Sequence, residues 1–234
     1  MSLQKNVLEA MLNSSRSVFN VQSLRMLTDC KDSQKLTQSL HYYIKEGKIR
    51  NPRRGIYTKA TYDEKEMACS LYRPAYISLE YVLQRAGIVF QYDDTITCVS
   101  YLNRIVDIDD KTYQFRIINP ELWIGMEGIE QKDNTLIAVP ERAFLDMVYL
   151  SAGNCYFDNL HPLNKTKVKQ LLPLYKSKAL MERVTKLLNL DMDKNKHKLY
   201  MAQILSLIFK DKDLCNVIAF KGLCVAIHNP FYEQ

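Results

Sequence analysis

Asp32-Ser33-Gln34-Lys35-Leu36-Thr37-Gln38-Ser39-Leu40-His41-Tyr42-Tyr43-Ile44-Lys45-Glu46-Gly47 decides how the first quarter of this chain folds. Leu36, Leu40, Tyr43 and Ile44 recur at i, i+4, i+7 and i+8, the apolar stripe of one helix. Asp32 or Ser33 suits its N-cap, and Gly47 stands where a helix end needs a left-handed residue. At about 100° per residue the opposite face is centred on Gln34, Gln38 and Lys45, flanked by Lys35, His41 and Tyr42. Gln pairs bidentately with an adenine edge, and Lys reaches guanine or phosphate.

Two further helices precede this one. Leu3, Val7, Leu8, Met11 and Leu12 give an apolar face to Leu3–Leu12, and Asn13-Ser14-Ser15 breaks it. Val18–Leu27 reads as a second helix, with Val21, Leu24 and Leu27 inward. After Gly47 comes Lys48-Ile49-Arg50-Asn51-Pro52-Arg53-Arg54-Gly55-Ile56-Tyr57-Thr58, two short alternating runs around a Pro-Arg-Arg-Gly turn. Three helices and a basic hairpin predict a winged helix-turn-helix over residues 1–60. Its third helix is expected to enter a major groove, with Arg50, Arg53 and Arg54 on phosphates or in the minor groove.

Charge singles out the same segment. Residues 1–60 hold 11 Lys/Arg against 4 Asp/Glu, a net +7; residues 61–234 hold 21 against 22, a net −1. The whole basic excess is therefore in one small module, as a polyanion-binding domain requires. A chain that is 47% hydrophobic and 25% charged is globular rather than disordered. No run approaches the roughly 18 apolar residues of a membrane span, and no leader pattern opens the chain, so a cytoplasmic protein is expected. Six scattered cysteines without a C-x-x-C pair fit reduced thiols, and four dispersed histidines give no metal-ligand spacing. No cofactor is expected.

The middle of the chain alternates differently. Glu64–Tyr72 and a helix capped by Ser78 and ended by Gly87 precede strand-like runs at Thr95–Tyr101, Arg104–Ile108, Thr112–Ile118 and Leu122–Ile124. Asp109-Asp110-Lys111 suits a hairpin turn. Leu136–Val139 is a last strand, and Pro140 opens a helix with Ala143, Phe144, Met147 and Val148 inward. Lys165–Leu172 and Lys178–Leu190 are helical around Pro173, and Asp191–Lys198 reads as a polar linker. The expected fold class is α+β: the winged helix-turn-helix (1–60), a mixed α/β domain (61–190), then a linker and helical tail (191–234).

Tyr76-Ile77-Ser78-Leu79-Glu80, Ile96-Thr97-Cys98-Val99-Ser100 and above all Ala138-Val139-Pro140-Glu141-Arg142-Ala143-Phe144-Leu145-Asp146 resemble the AbiEi family, as does Arg54-Gly55-Ile56-Tyr57 at the hairpin. These are antitoxins of type IV toxin–antitoxin (abortive infection) systems. The resemblance runs in order from about residue 3 to about 190. It implies a non-enzymatic repressor of its own operon, with a nucleotidyltransferase toxin as functional partner. An inverted-repeat operator, which mirrors two-fold symmetry, makes a homodimer the default expectation. Residues 197–222, ending in Phe220-Lys221-Gly222, resemble the opening of the partner AbiEii-type toxin family. The departure comes at Leu223-Cys224, where neither the second glycine nor the Asp-x-Asp of those enzymes follows. A truncated or frame-shifted toxin start and an ordinary pair of terminal helices both remain open.

Other classes have less in their favour. Asp107, Asp109 and Asp110 with Glu130-Gln131-Lys132 superficially fit the acid–acid–lysine set of a metal-dependent nuclease. Glu130–Lys132, however, lies between Gly128 and Asp133-Asn134 without strand alternation to hold it. Pro140–Asp146 is better read as a helix start with acids near its positive end than as catalytic. Arg104, Arg116 and Arg142 are candidates for extending a DNA-facing surface. A ligand-sensing regulator, whose middle domain binds a small molecule, is the alternative; no Gly-rich phosphate loop or convergent polar motif supports it.

Overall fold

The computed structural model describes residues 6–30, 32–123, 126–152 and 154–190. The 197–222 segment lies outside them. The described chain is mixed α+β, with eight α-helices and two sheets. Residues 1–175 form one compact unit, and those from Lys176 onward belong to a second. Among the described residues no helix is long and apolar enough to cross a membrane.

The amino-terminal elements run α1 (Val7–Asn13), β1 (Val18–Asn20), α2 (Val21–Thr28), α3 (Ser33–Lys45), β2 (Ile49–Arg53) and β3 (Ile56–Lys59). Each of these three helix starts has a side-chain cap. The Asn6 carboxamide accepts from the Leu8 N–H, Asn20 and Ser23 form a reciprocal capping box, and Asp32 accepts from the Gln34 and Lys35 N–H groups. Val7, Met11, Phe19, Leu24, Leu36, Leu40 and Ile49 bury together, so three helices and two strands share one small core. The helix expected from Val18 starts at Val21 instead. Val18-Phe19-Asn20 is extended because it pairs antiparallel with β3, Val18 opposite Thr58 and Asn20 opposite Ile56. That pairing spans some 40 residues of sequence, so local helix propensity is overruled by a distant strand edge.

A six-stranded sheet follows, built from β4 (Ala75–Ile77), β5 (Ile96–Ser100), β6 (Arg104–Ile108), β7 (Lys111–Ile117), β8 (Ile129–Lys132) and β9 (Thr135–Ala138). Its order is β6-β7-β5-β4-β9-β8. Each half consists of an antiparallel edge hairpin laid parallel onto a central strand, β7 on β5 and β9 on β4. The central strands pair antiparallel and are buried along their whole length. Charges on β8 and β6 mark the two edges, where they discourage pairing with another chain.

Helices α4 (Glu64–Leu71), α5 (Glu80–Arg85) and α6 (Pro140–Leu150) pack around this sheet, followed by α7 (Lys165–Leu171) and a 3₁₀ turn at Leu172–Tyr175. In the second unit, α8 (Lys178–Leu188) is capped by Ser177. Two local expectations change. Ser78 does not cap α5: its hydroxyl donates to Asp146, and the Tyr81 N–H finds Thr97 Oγ1 on β5 instead. Leu79 between them takes φ 61° and ψ −139°, a conformation costly for any residue but glycine, held by the Ser78–Thr97 bonds on one side and the helix on the other. Leu122–Ile124 is not a strand, since Pro120–Trp123 is a 3₁₀ turn and Ile124 lies outside the described residues.

Candidate nucleic-acid interface

Helix α3 supplies the broad face of the site. Leu36 and Leu40 are buried and Tyr43 and Ile44 half-buried, which turns the other side outward. Gln34, Lys35, Gln38, His41, Tyr42 and Lys45 are all exposed. The helix is stopped by Gly47 at φ 68°, where the Lys48 N–H reaches back to the Tyr43 carbonyl and the Gly47 N–H to Ile44. This six-to-one closure leaves the chain aimed directly into β2.

The hairpin that follows is tight. Arg53 pairs with Ile56, so only Arg54 and Gly55 turn, with Gly55 at φ 81°. Between Arg50 and Arg53 the register slips, because Asn51 and Pro52 make a bulge. Pro52 has no N–H to offer the ladder. The Asn51 carboxamide closes the gap by donating to the Arg53 and Ile56 carbonyls at 2.8 Å and 2.6 Å.

The bulge sends the three arginines to different places. Arg54 is exposed at the tip. Arg53 turns back: its Nη2 donates to the Tyr72 hydroxyl at 2.7 Å, and its guanidinium lies 5.2 Å from that ring's centre. Its Nη1 is buried. Arg50 reaches the β6–β7 turn, where Nη2 meets Asp109 Oδ1 at 2.8 Å. Of the arginines grouped by sequence as phosphate ligands, then, Arg53 is packed into the following module and Arg50 is engaged by a carboxylate. The bulge that separates them has no local sequence signal beyond Pro52.

The middle module's other cationic candidates also divide. Arg142 is 1% exposed, in the core and not on any DNA-facing surface. Arg116 lies 3.9 Å from Glu80, while Arg104 is exposed on edge strand β6. The nuclease-like set does not assemble. Glu130-Gln131-Lys132 is on β8, a strand after all, but at the opposite edge from β6 and Asp107. Five strand spacings separate them, roughly 24 Å. Asp109 is already bound to Arg50 and Tyr62, and Asp107 accepts from Thr112. Among the described residues no group of three or more His, Cys, Asp or Glu side chains is placed to hold a metal ion.

Two features joining the modules had no signal in the sequence. The buried Glu66 of α4 accepts from both the backbone N–H and the hydroxyl of Ser17, at 2.7 Å and 2.6 Å. Asn134, at the β8–β9 turn, donates to the Ser15 carbonyl. Together they fix the segment entering β1 against the middle module. Cys69 and Cys98 are buried, and burial pushes the Cys69 thiol up to about 11, too high for a ready thiolate. Compared with known proteins, the chain matches no family model and no curated sequence.

Proposed function

We propose that residues 1–60 are a winged helix-turn-helix that binds duplex DNA, and that the chain is a transcriptional repressor. One observation carries the reading. A single helix, α3, presents Gln34, Lys35, Gln38, His41, Tyr42 and Lys45 on one exposed face, beside a hairpin whose tip is Arg54. The order α1-β1-α2-α3-β2-β3, with a sheet ordered β1-β3-β2, supports the winged-helix reading. The +7 charge of this segment supports contact with phosphate. Gln38, central on the face and one turn in from the capped end, is the base-reading side chain; Lys35, Lys45 and Arg54 hold the backbone.

The biological role follows from the resemblance of Tyr76–Glu80, Ile96–Ser100 and Ala138–Asp146 to AbiEi antitoxins. On that reading the protein is a cytoplasmic homodimer on an inverted repeat, and it represses an operon shared with a nucleotidyltransferase toxin. The middle module has no catalytic part in this function.

Fluorescence anisotropy with duplexes from upstream of the chain's own gene tests the proposal. Binding is expected to be salt-sensitive and to prefer one inverted repeat over scrambled DNA. Gln38→Ala is expected to lose about 1–3 kcal/mol of that preference while leaving affinity for scrambled DNA unchanged. Equal affinity of the parent protein for every duplex would remove the repressor reading. Rescue of growth on co-expression with the adjacent toxin tests the antitoxin role separately.

A further inference from the structure

The engagement of Arg50 by the middle module has a consequence for the DNA-binding reading, on which it rests. We infer that Asp109 is an internal phosphate surrogate: it holds Arg50 of the wing, so the β6–β7 hairpin sets how tightly residues 1–60 grip DNA.

The carboxylate is fixed from several sides. Asp109 Oδ1 takes the Arg50 Nη2 at 2.8 Å, and Oδ2 accepts from the Tyr62 hydroxyl at 2.7 Å. Its backbone and that of Asp110 are both left-handed, at φ 51° and 61°, in the tight turn between Ile108 and Lys111. Lys111, the next residue, is tied to Asp94 at 2.6 Å and Glu64 at 3.1 Å. The acid therefore sits on a rigid tip and is not a side chain that swings away at no cost.

The pair is nevertheless open to competition. The Arg50 side chain is 45% exposed and Asp109 32%, so a DNA phosphate can approach the same guanidinium from solvent. Carboxylate and phosphate oxygens make the same charge-assisted bonds to it. Asp109 holds one N–H of Nη2 and fixes where the guanidinium points, and a phosphate arriving there also meets the negative charge of Asp109. Exposed ion pairs are weak, so the contest is a graded restraint of a few-fold and not an on–off switch.

Asp109→Asn and Asp110→Asn separate the contact from bulk charge. Both remove one negative charge, and Asn tolerates the left-handed turn that each position needs. Binding of a 30-bp duplex from upstream of the gene, and of its scrambled counterpart, would be measured across a salt series. Asp109→Asn is expected to bind both about two- to fivefold more tightly than the parent. Its plot of log affinity against log salt is expected to be steeper by about 0.9, the signature of one additional phosphate contact. Asp110→Asn is expected to keep the parent slope, and Arg50→Ala in the Asp109→Asn background to cancel the gain. Weaker or unchanged binding by Asp109→Asn, or a gain equalled by Asp110→Asn, overturns the inference and leaves DNA binding standing. Failure of parent and variants alike to bind either duplex overturns both.

Discussion

Arg142 and Asp146, one turn apart on α6, meet at 3.3 Å inside the core, with side chains 1% and 0% exposed. Asp146 is also the acceptor for the hydroxyls of Ser78, Tyr76 and Tyr175, and the Arg142 guanidinium donates onward to the Glu127 and Leu122 carbonyls. Burial pushes the Asp146 carboxyl up, against the pull of Arg142 and the three hydroxyls. The motif Pro140–Asp146 thus owes its charges to structure. It locks β4, α6, the 3₁₀ turn at 172–175 and the loop before β8 to one another.

Asp146→Ala is expected to destabilise the protein by about 3–5 kcal/mol, since it strands a buried guanidinium and three donors. Urea unfolding measures this directly. A loss below about 1 kcal/mol would show that the cluster is not a structural lock.

Gly128 is expected to resist even alanine. Its φ is 75°, and a Cβ there would lie 2.9 Å from Leu171 Cδ1 and 3.0 Å from Arg142 Cβ. Leu171 can move its end, but Arg142 is held by its head group. Overpacking of this kind costs about 1–3 kcal/mol, readable as a fall in Tm.

Alkaline pH is expected to unfold the protein. Burial, reinforced by the charge of Asp146, raises the pKa values of Tyr76 and Tyr175 well above 10. Unfolded tyrosine loses its proton near pH 10, whereas the folded pair keeps both. Their contribution to stability is therefore complete below pH 10 and is lost as pH rises towards the folded values. Tyr175→Phe removes one of the two titrations. It is expected to lower stability at neutral pH but to make its alkaline decline shallower by about 1.4 kcal/mol per pH unit. Denaturation midpoints from pH 8 to 11.5 would show the difference.

Arg53→Ala and Arg54→Ala are expected to have opposite signatures. Arg54→Ala should weaken binding to all duplexes and reduce the salt slope by about 0.9, with stability unchanged. Arg53→Ala should leave the slope alone and cost about 1–2 kcal/mol of stability through its lost contacts with Tyr72. Identical effects on binding would mean that Arg53 leaves Tyr72 for the DNA.

Much of the candidate site's geometry was legible because it is written in local periodicity. The stripe Leu36–Leu40–Tyr43–Ile44 dictates which side of α3 is buried, and so which six polar residues face outward. Gly47 and Gly55 mark backbone that needs positive φ, and Pro140 the first turn of α6. Such signals act within a few residues of chain, where helix geometry and steric limits on φ apply without help from elsewhere.

The sequence by itself determined the orientation of α3, the basic hairpin and the concentration of positive charge before residue 60. Tertiary structure alone decided where the charges on that hairpin go. Val18–Asn20 is a strand only because β3 offers an edge, Glu130–Lys132 is on the wrong edge for Asp107, and Arg50 finds an acid 59 residues away. Each outcome depends on chain closure over tens of residues, and a side chain carries no local mark of a partner brought to it by the fold.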